Sequence, residues 1–530
     1  MTDGLERNTR TVMVLTAISR VAGLARDATV SRLLGTGDAM GAFWLAFLIP
    51  NLFRRLFGEG ALSSAFLPAY QRLVDEDPRR AAALAGGLIG GLAVVLGAIV
   101  VLGEAVLFLA SSALDHTSPA IWLTMAMLPY MPLVCLVAIV GAMLHVHGRF
   151  GPTAAAPLIL NGCLIAAALL GWWWVGTGEL DARLWVVSMM AGSVVLAGCM
   201  QLAWSLLALR GQADMRLDLA AAALPLRKVI RRAGPMILGL GVLQINTLFD
   251  GLIASWPLLV GDTIAGRPYP LDTEAMAVIS FAHRLYQFPL GVFGIAVATA
   301  IYPLLARQGG NAAAFGETVR RGIRLVLFIG VPAGIGLMVV RGPLTTVILQ
   351  GGNFDVQDTD RVAFVLLGYA ASVWAYALVQ VLTRAFYARD DVMTPVRIAL
   401  AVVGLNLLLN VTLIWTPLRE AGLAWSTSIC AAIQAVVMLS VLHRRGISVL
   451  GGGVRRAAVQ IVVLAAIMAA GLWGVGGLFG HETEWSHALV ELLVLVIVGV
   501  VLYGGGAKAM RMPELRWLLG RGSPSPQRHD

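Results

Sequence analysis

Charged side chains are scarce in this sequence. They make up 13% of its 530 residues, while 58% of the residues are hydrophobic; in an ordinary soluble domain about a quarter are charged. Apolar runs recur from Val12 to Tyr503 and leave no room for a soluble domain of normal size. Each run is long enough to cross a hydrocarbon core about 30 Å thick. The sequence therefore predicts an integral membrane protein.

Several chemical motifs are also missing. The chain has no GxxxxGK[ST] motif for ATP and no HExxH motif for zinc, which argues against an ATP-driven pump and a zinc protease. Its four cysteines, Cys135, Cys163, Cys199 and Cys430, lie inside apolar runs without CxxC spacing. We interpret them as small hydrophobic residues. No catalytic residue and no cofactor is predicted, apart from a possible coupling ion.

The net charge of +9 has a topological explanation. Most basic residues fall in short clusters between apolar runs, in every second loop if the N-terminus is cytoplasmic, which is the pattern of cytoplasmic loops. Arg20 and Arg26 interrupt the first run, as no signal-peptide core would tolerate. We therefore expect a retained first span, an even number of spans, both termini in the cytoplasm and no nucleic-acid partner.

The apolar runs predict an all-α fold with about fourteen transmembrane helices. The predicted spans lie near residues 11–34, 41–71, 83–110, 120–146, 153–176, 184–209, 230–259, 275–305, 319–340, 362–388, 395–416, 421–443, 457–478 and 486–507.

The two halves of the chain resemble each other weakly. The second span is long, breaks at Pro50 and ends in Pro68-Ala-Tyr-Gln-Arg72; the eighth is long, breaks at Pro289 and ends in Pro303-Leu-Leu-Ala-Arg307. Such a repeat predicts two six-helix lobes around a central cavity, as in alternating-access transporters. The predicted domains are an N-terminal lobe (1–209), a C-terminal lobe (210–445), spans 13 and 14 (446–510) and a cytoplasmic tail (511–530).

Arginines inside the predicted spans form the first candidate site. Arg20 and Arg26 lie in span 1, Arg54 and Arg55 in span 2, and Arg284 in span 8. An arginine within the bilayer costs several kcal/mol, so it usually faces a polar cavity or a partner charge. Local pairs, Arg26 with Asp27 or Arg55 with Glu59, are one explanation. As a set, the arginines favour a multivalent anion such as phosphate or pyrophosphate.

Polar residues of the C-terminal half form a second candidate site. They are Asp250 in span 7, Asn406 and Asn410 in span 11, and Ser426 and Thr427 in span 12. A buried carboxylate with amide and hydroxyl oxygens could hold Na⁺ or a proton. The alternative is hydrogen bonding between helices, which such residues commonly supply.

Several motifs resemble the MurJ (MviN) family of lipid II flippases, in the multidrug/oligosaccharidyl-lipid/polysaccharide exporter superfamily. The matching segments are Ser19–Asp27, Pro50–Ala61, Phe66–Pro68, Arg149–Pro152, Arg284–Pro289 and Phe386–Pro395.

The resemblance implies a fourteen-span transporter of the bacterial inner membrane that moves lipid II to the periplasmic face for cell-wall synthesis and cell shape. Lipid II is an undecaprenyl-pyrophosphate-linked peptidoglycan precursor. The resemblance implies Arg20, Arg26, Arg54 and Arg284 as substrate-binding residues and a groove for the lipid tail at the last two spans. Candidate supporting residues are Ser19, Asp27, Arg55, Glu59 and Gln287.

The chain also departs from the family pattern. Gly41 stands where the family often has an acid, with Asp38 three residues earlier, and Gln287 stands where a glutamate is common. An acid of the family's cation site is replaced by Asn410, so coupling stays open between Na⁺, protons and the membrane potential. We expect a monomer in contact with membrane lipids. Alternative functions are export of another polysaccharide lipid or a drug, or glycosyl or phosphoryl transfer.

Overall fold

The structure is a computed structural model. It describes residues 2–58, 61–113, 118–175, 180–289, 295–308, 311–449, 451, 453–480 and 484–519. These residues are almost entirely helical, as predicted. The one sheet in the described ranges is a short antiparallel pair, β1 (Thr263–Ile264) and β2 (Arg267–Pro268).

The chain divides into two compact units. The first comprises Met1–Ala277 together with Gly351–Phe354. Its helices are α1 (Thr2–Leu34), α2 (Asp38–Phe53), a π-helical turn (Arg54–Gly58), α3 (Ala61–Glu76), α4 (Pro78–Ala113), α5 (Pro119–Met127), α6 (Tyr130–Val146), α7 (Gly151–Val175), α8 (Leu180–Leu209), α9 (Leu219–Ala254) and α10 (Trp256–Leu259).

The second unit comprises Val278–Gln350 and Asp355–Asp530. Its helices are α11 (Ala275–Pro289, which begins at the boundary), α12 (Ile295–Arg307), α13 (Ala312–Leu349), α14 (Val356–Ala370), α15 (Val373–Tyr387), α16 (Met393–Leu413), α17 (Ala421–Arg444), α18 (Val454–Gly476), α19 (Trp485–Ala509) and α20 (Pro513–Leu518).

Ten helical segments within the described ranges are long and apolar enough to cross a membrane. They are α4, α5 with α6, α7, α8, α13, α14 with α15, α16, α17, α18 and α19. The all-α membrane class is therefore confirmed. The four other predicted spans coincide with α1, with α2 and α3, with α9, and with α11 and α12. These four predicted spans include the candidate arginines and Asp250, with Arg54 and Arg55 in the turn between α2 and α3.

The first unit extends further along the chain than the predicted lobe boundary at 209. It includes α9 because this helix packs against α3 and α4. Small residues of α4 allow the close approach: a Cβ on Gly87 would lie 2.9 Å from the Ala222 Cβ, and one on Gly86 would lie 2.2 Å from the Arg216 carbonyl oxygen. The compact unit thus ends at a different residue from the lobe expected from the repeat.

Residues 351–354 belong to the first unit although α13 and α14, which they join, belong to the second. The Asn353 backbone amide donates to the Arg32 carbonyl (2.8 Å), and its side-chain amide donates to the Leu33 carbonyl (2.7 Å). Arg183 donates to the Asn353 side-chain oxygen at 3.0 Å. Two hydrogen bonds thus fix this turn against the end of α1, and a third joins it to α8.

The second unit has its core on both sides of α13. On one side α13 meets α15, which in turn packs on α17, and Phe315, Leu382 and Met438 belong to one hydrophobic cluster there. On the other side it meets α18 and α19, where the Tyr503 hydroxyl donates to the Phe328 carbonyl at 2.9 Å. The last two spans therefore pack on α13.

Candidate functional site

Arg26 is buried on α1 with three hydrogen bonds to side chains. Its Nε and Nη2 donate to Asp27 Oδ1 at 3.0 and 2.7 Å, and its Nη1 donates to Asn161 Oδ1 of α7 at 2.8 Å. The Asn161 amide in turn donates to the Ser19 carbonyl at 3.3 Å. The structure thus brings together Ser19, Arg26 and Asp27, and it shows the local Arg26 and Asp27 pair.

Arg20 has a different environment on the same helix. It is exposed, and it forms no hydrogen bond or ion pair within the described ranges. At about 100° per residue, Arg20 points about 120° around α1 from Arg26. Arg26 is directed toward α7, whereas Arg20 is exposed on another side of α1.

Arg54 and Arg55 begin the π-helical turn after α2. Both are half-buried, and Arg54 Nε and Nη2 donate to Asn51 Oδ1 at 3.0 and 2.8 Å. A π-helical turn widens the helix and is frequent at functional sites. Glu59 lies outside the described residues, so its pairing with Arg55 stays a prediction.

Arg284 belongs to α11 of the second unit and is half-buried. The amide of Gln287, one turn later, donates to the His283 ring at 3.3 Å. His283 also lies in an aromatic cluster, with ring centroids 5.8 Å from Tyr286 and 5.4 Å from Tyr369. Gln287 is thus engaged beside Arg284. A common cluster of Arg284 with Arg20, Arg26 and Arg54 stays a prediction.

The second polar set forms a closed hydrogen-bonded triangle between α16 and α17. Asn410 donates to Asn406 Oδ1 at 2.9 Å, Asn406 donates to the Ser426 hydroxyl at 3.3 Å, and that hydroxyl donates to Asn410 Oδ1. The Thr427 hydroxyl donates to the Leu423 carbonyl at 2.9 Å. The interhelical hydrogen bonding foreseen as the alternative is therefore present, and a cation would have to use second lone pairs of these oxygens.

Asp250 lies apart in the chain, on α9 of the first unit. The Asn246 amide approaches its Oδ2 at 3.5 Å. No group of three or more His, Cys, Asp or Glu side chains in the described ranges could hold a metal ion. A joint site of Asp250 with Asn406, Asn410, Ser426 and Thr427 stays a prediction.

Gly41 has a steric reason for lacking a side chain. A Cβ there would lie 2.6 Å from the Thr273 carbonyl oxygen, a backbone atom that cannot swing away. One turn earlier, Asp38 accepts a hydrogen bond from the Thr273 hydroxyl. The carboxylate at position 38 therefore contacts the segment that a side chain at position 41 would strike.

Sequence reasoning missed three polar neighbours of the arginines: Asn51, Asn161 and His283. Asn51 was recognisable as an amide one turn before an intramembrane arginine. Asn161 and His283 are polar residues inside apolar runs, which is the same signal that identified the arginines. Their contacts with Arg26 and Gln287 depend on helix packing and rotation.

Known proteins match the chain over nearly its whole length. The family described as Lipid II flippase MurJ matches residues 30–495. A probable lipid II flippase MurJ of Vibrio cholerae is 31% identical over 513 residues, which cover 93% of each chain.

Solved structures share the fold. A structure described as "Lipid II flippase MurJ, inward closed conformation" has a TM-score of 0.75 at 20% identity, covering 96% of this chain and 99% of that one. An inward-facing multidrug transporter of the MATE family has a TM-score of 0.62 at 14% identity, covering 82% and 97%. The family match extends over most of the chain and includes the segments that carry Arg54 and Arg284. The chain belongs to the MurJ family of lipid II flippases.

Proposed function

We propose that this chain is a flippase that carries lipid II from the cytoplasmic to the periplasmic leaflet of the bacterial inner membrane. The observation that carries the proposal is a set of arginines on membrane helices in a member of the MurJ family. The chain acts as a transporter and not as an enzyme, and it serves peptidoglycan synthesis. Its partners are lipid II and the surrounding membrane lipids.

The arginines have different roles in this proposal. Arg20 is exposed and Arg54 is oriented by Asn51, so both can offer guanidinium forks to pyrophosphate oxygens. Arg284 supplies a further cation from the second unit. Arg26 is held by Asp27 and Asn161, and it contributes by fixing α1 against α7.

The architecture that we propose has fourteen spans, with both termini in the cytoplasm. Two lobes of six helices alternate in exposing a central cavity, and the pyrophosphate and sugars travel through it while the prenyl chain stays in lipid. Spans 13 and 14 form the groove for that chain. The transporter works as a monomer.

Energy coupling is the second part of the proposal. The membrane potential acts on cavity charge with about 2.3 kcal/mol per elementary charge per 100 mV. The second energy source that we propose is a gradient of Na⁺ or protons. The ion would bind at Asp250, with Asn406, Asn410, Ser426 and Thr427. Na⁺ should raise the melting temperature of the purified wild type and not that of Asp250→Ala. If the wild type shows no such shift, or the variant retains it, the Na⁺ site is wrong.

Growth tests the binding residues. In a strain depleted of its own lipid II flippase, Arg20→Ala, Arg54→Ala and Arg284→Ala should fail to support growth and lipid II export. Lysine at these positions should rescue only partly, because lysine keeps the charge but loses the planar fork. Arg419→Ala, a loop substitution outside the candidate sites, is the control. Full growth of all three alanine variants at wild-type protein levels overturns the proposal.

The same purified protein distinguishes the alternative functions. In proteoliposomes, labelled lipid II should become accessible from the opposite leaflet without chemical change. Transport of another polyprenyl-linked sugar or of a drug in place of lipid II would indicate a different exporter. Conversion of the labelled precursor to a new product would indicate a transferase.

A further inference from the structure

The beginning of α9 carries a dense group of positive charges, which we call the basic face. It consists of Arg227, Lys228, Arg231 and Arg232, all exposed. None of them forms an ion pair or a side-chain hydrogen bond within the described ranges. No acidic side chain in the described ranges therefore neutralises the basic face.

The basic face points away from the protein. The buried residues of this part of α9 are Ala222, Val229 and Ala233, which share one side of the helix and face its neighbours α3 and α4. At about 100° per residue, all four cations lie at least about 80° from that buried line. Their orientation is thus fixed by packing on the other side of the helix.

Apolar side chains are exposed around the same cations. Leu217 is 79% exposed, Leu224 is 73% exposed and Ile230 is 56% exposed. A surface that combines cations with exposed large apolar residues is typical of helices lying in the interface of a membrane. Contact with water alone would leave this apolar surface uncovered.

The neighbouring helix α4 gives the depth of Leu217, just before the first residue of α9. The Arg216 amide donates to the Ala82 carbonyl at 3.1 Å, and a Cβ on Gly90 would lie 2.9 Å from Leu217 Cδ2. Exposed apolar side chains of α4 begin at Val94, about 6 Å further along its axis. Leu217 therefore lies next to the end of the lipid-facing stretch of α4, at headgroup level.

We propose that the basic face binds the headgroups of anionic phospholipids, while Leu217, Leu224 and Ile230 contact the adjoining acyl chains. Charge complementarity and depth together identify the occupant. An acidic protein would match the cations but would not reach apolar residues beside the lipid-facing part of α4. The inference goes beyond the proposed function, since it concerns a lipid that is not transported.

Lipid adducts of the full-length chain test the proposal. The protein is purified in a neutral detergent and titrated with dioleoyl phosphatidylglycerol or dioleoyl phosphatidylcholine, and bound lipids are counted by native mass spectrometry. Each cation near an anionic surface contributes about a fivefold gain in binding. We expect a clear preference for phosphatidylglycerol that weakens as salt is raised.

A glutamine substitution of the whole basic face (R227Q, K228Q, R231Q and R232Q) should remove that preference. The control removes the same number of exposed charges elsewhere, with R79Q, R444Q, R455Q and R456Q. Both variants should keep the wild-type melting temperature in detergent alone. The proposal is overturned if the basic-face variant keeps its preference for phosphatidylglycerol, or if the control loses it equally.

The mass spectrometry experiment is done without lipid II. A failed flippase assay leaves the anionic-lipid preference measurable, and an absent preference leaves lipid II transport measurable. The two proposals can therefore fail separately.

Discussion

Arg26 and Asp27 form a buried ion pair between neighbouring residues of α1. The distance from Nη2 to Oδ1 is 2.7 Å, and the two side chains are 8% and 10% exposed. Taking one partner away from a buried pair leaves an uncompensated charge, which is more costly than losing the pair as a whole. The Asp27 carboxylate is thus the counter-charge of Arg26 inside the helix bundle.

Asp27→Asn should destabilise the protein by about 3–5 kcal/mol, because the buried guanidinium loses its counter-charge. The double variant Arg26→Leu with Asp27→Leu should be less destabilised than Asp27→Asn. Thermal unfolding of the purified proteins measures both, with Asp75→Asn, an exposed position on α3, as the control. A wild-type melting temperature for Asp27→Asn would contradict the pairing.

Asn51 should act on transport through Arg54. Asn51→Ala removes the acceptor that orients Arg54 Nε and Nη2, so the half-saturating lipid II concentration should rise severalfold. Asn51→Asp should be worse, because its carboxylate competes with pyrophosphate for the guanidinium. Initial flipping rates in proteoliposomes at several substrate concentrations test this, with exposed Gln212→Ala as the control. An unchanged half-saturating concentration in both Asn51 variants would rule out the positioning role.

Gly352→Ala should destabilise the turn that docks on α1. Gly352 has φ +59°, and its Cβ would lie 2.2 Å from the Arg32 carbonyl oxygen, a backbone atom. Gly148→Ala is the matched control, because Gly148 has φ +71° and open space around it. The control should show only the cost of the left-handed conformation, about 1–2 kcal/mol, and Gly352→Ala should lose more. Equal melting temperatures of the two variants would mean that the turn can move away from the Arg32 carbonyl without loss of stability.

The sequence predicted the helices well because long apolar runs bounded by basic clusters have few alternatives in a membrane. The position of an irregularity within a span was harder to predict. The second span was expected to break at Pro50, but Pro50 lies inside α2 and the irregular turn is at Arg54–Gly58. Proline removes one hydrogen bond of its helix. Where the helix actually changes its winding depends on neighbouring helices, which the sequence does not specify.

The sequence anticipated the local Arg26 and Asp27 pair but not the contacts between distant parts of the chain. Insertion cost identified Arg20, Arg26 and Arg54 without any structure. It could not tell that Arg26 is engaged with Asn161, a residue 135 positions away, while Arg20 is exposed. Such differences arise from helix rotation and from which helices become neighbours. A single sequence carries little information on either.

The docking of α20 depends on one buried ion pair. Arg324 Nε donates to Glu514 Oε1 at 2.6 Å, the Glu514 side chain is fully buried, and the Trp517 ring lies 4.8 Å from the Arg324 guanidinium. Glu514→Gln should therefore expose the C-terminal segment and accelerate trypsin cleavage there several-fold. Glu317→Gln is the control, because its exposed pair with Arg320 contributes about 1 kcal/mol or less. Equal cleavage rates in the two variants would argue against a role of the Arg324 and Glu514 ion pair in docking α20.

Acid should weaken the loop between α15 and α16 through Asp391. Burial alone would raise the pKa of the Asp391 carboxyl, but hydrogen bonds from Thr394 and Arg445 outweigh it and lower this pKa below its usual value of 3.8. A lowered folded-state pKa means that the carboxylate stabilises the fold above pH 3.8, and that this contribution disappears as the pH falls through the folded-state pKa.

Asp391→Asn should consequently melt at a lower temperature than the wild type near neutral pH, and the difference should shrink as the pH falls below about 4. Melting curves of both proteins in detergent over a pH series measure it. Asp390→Asn serves as the control, because asparagine tolerates the φ of +58° at that position. A difference that stays constant down to the most acidic pH would show that Asp391 stabilises the loop by packing and not by its charge.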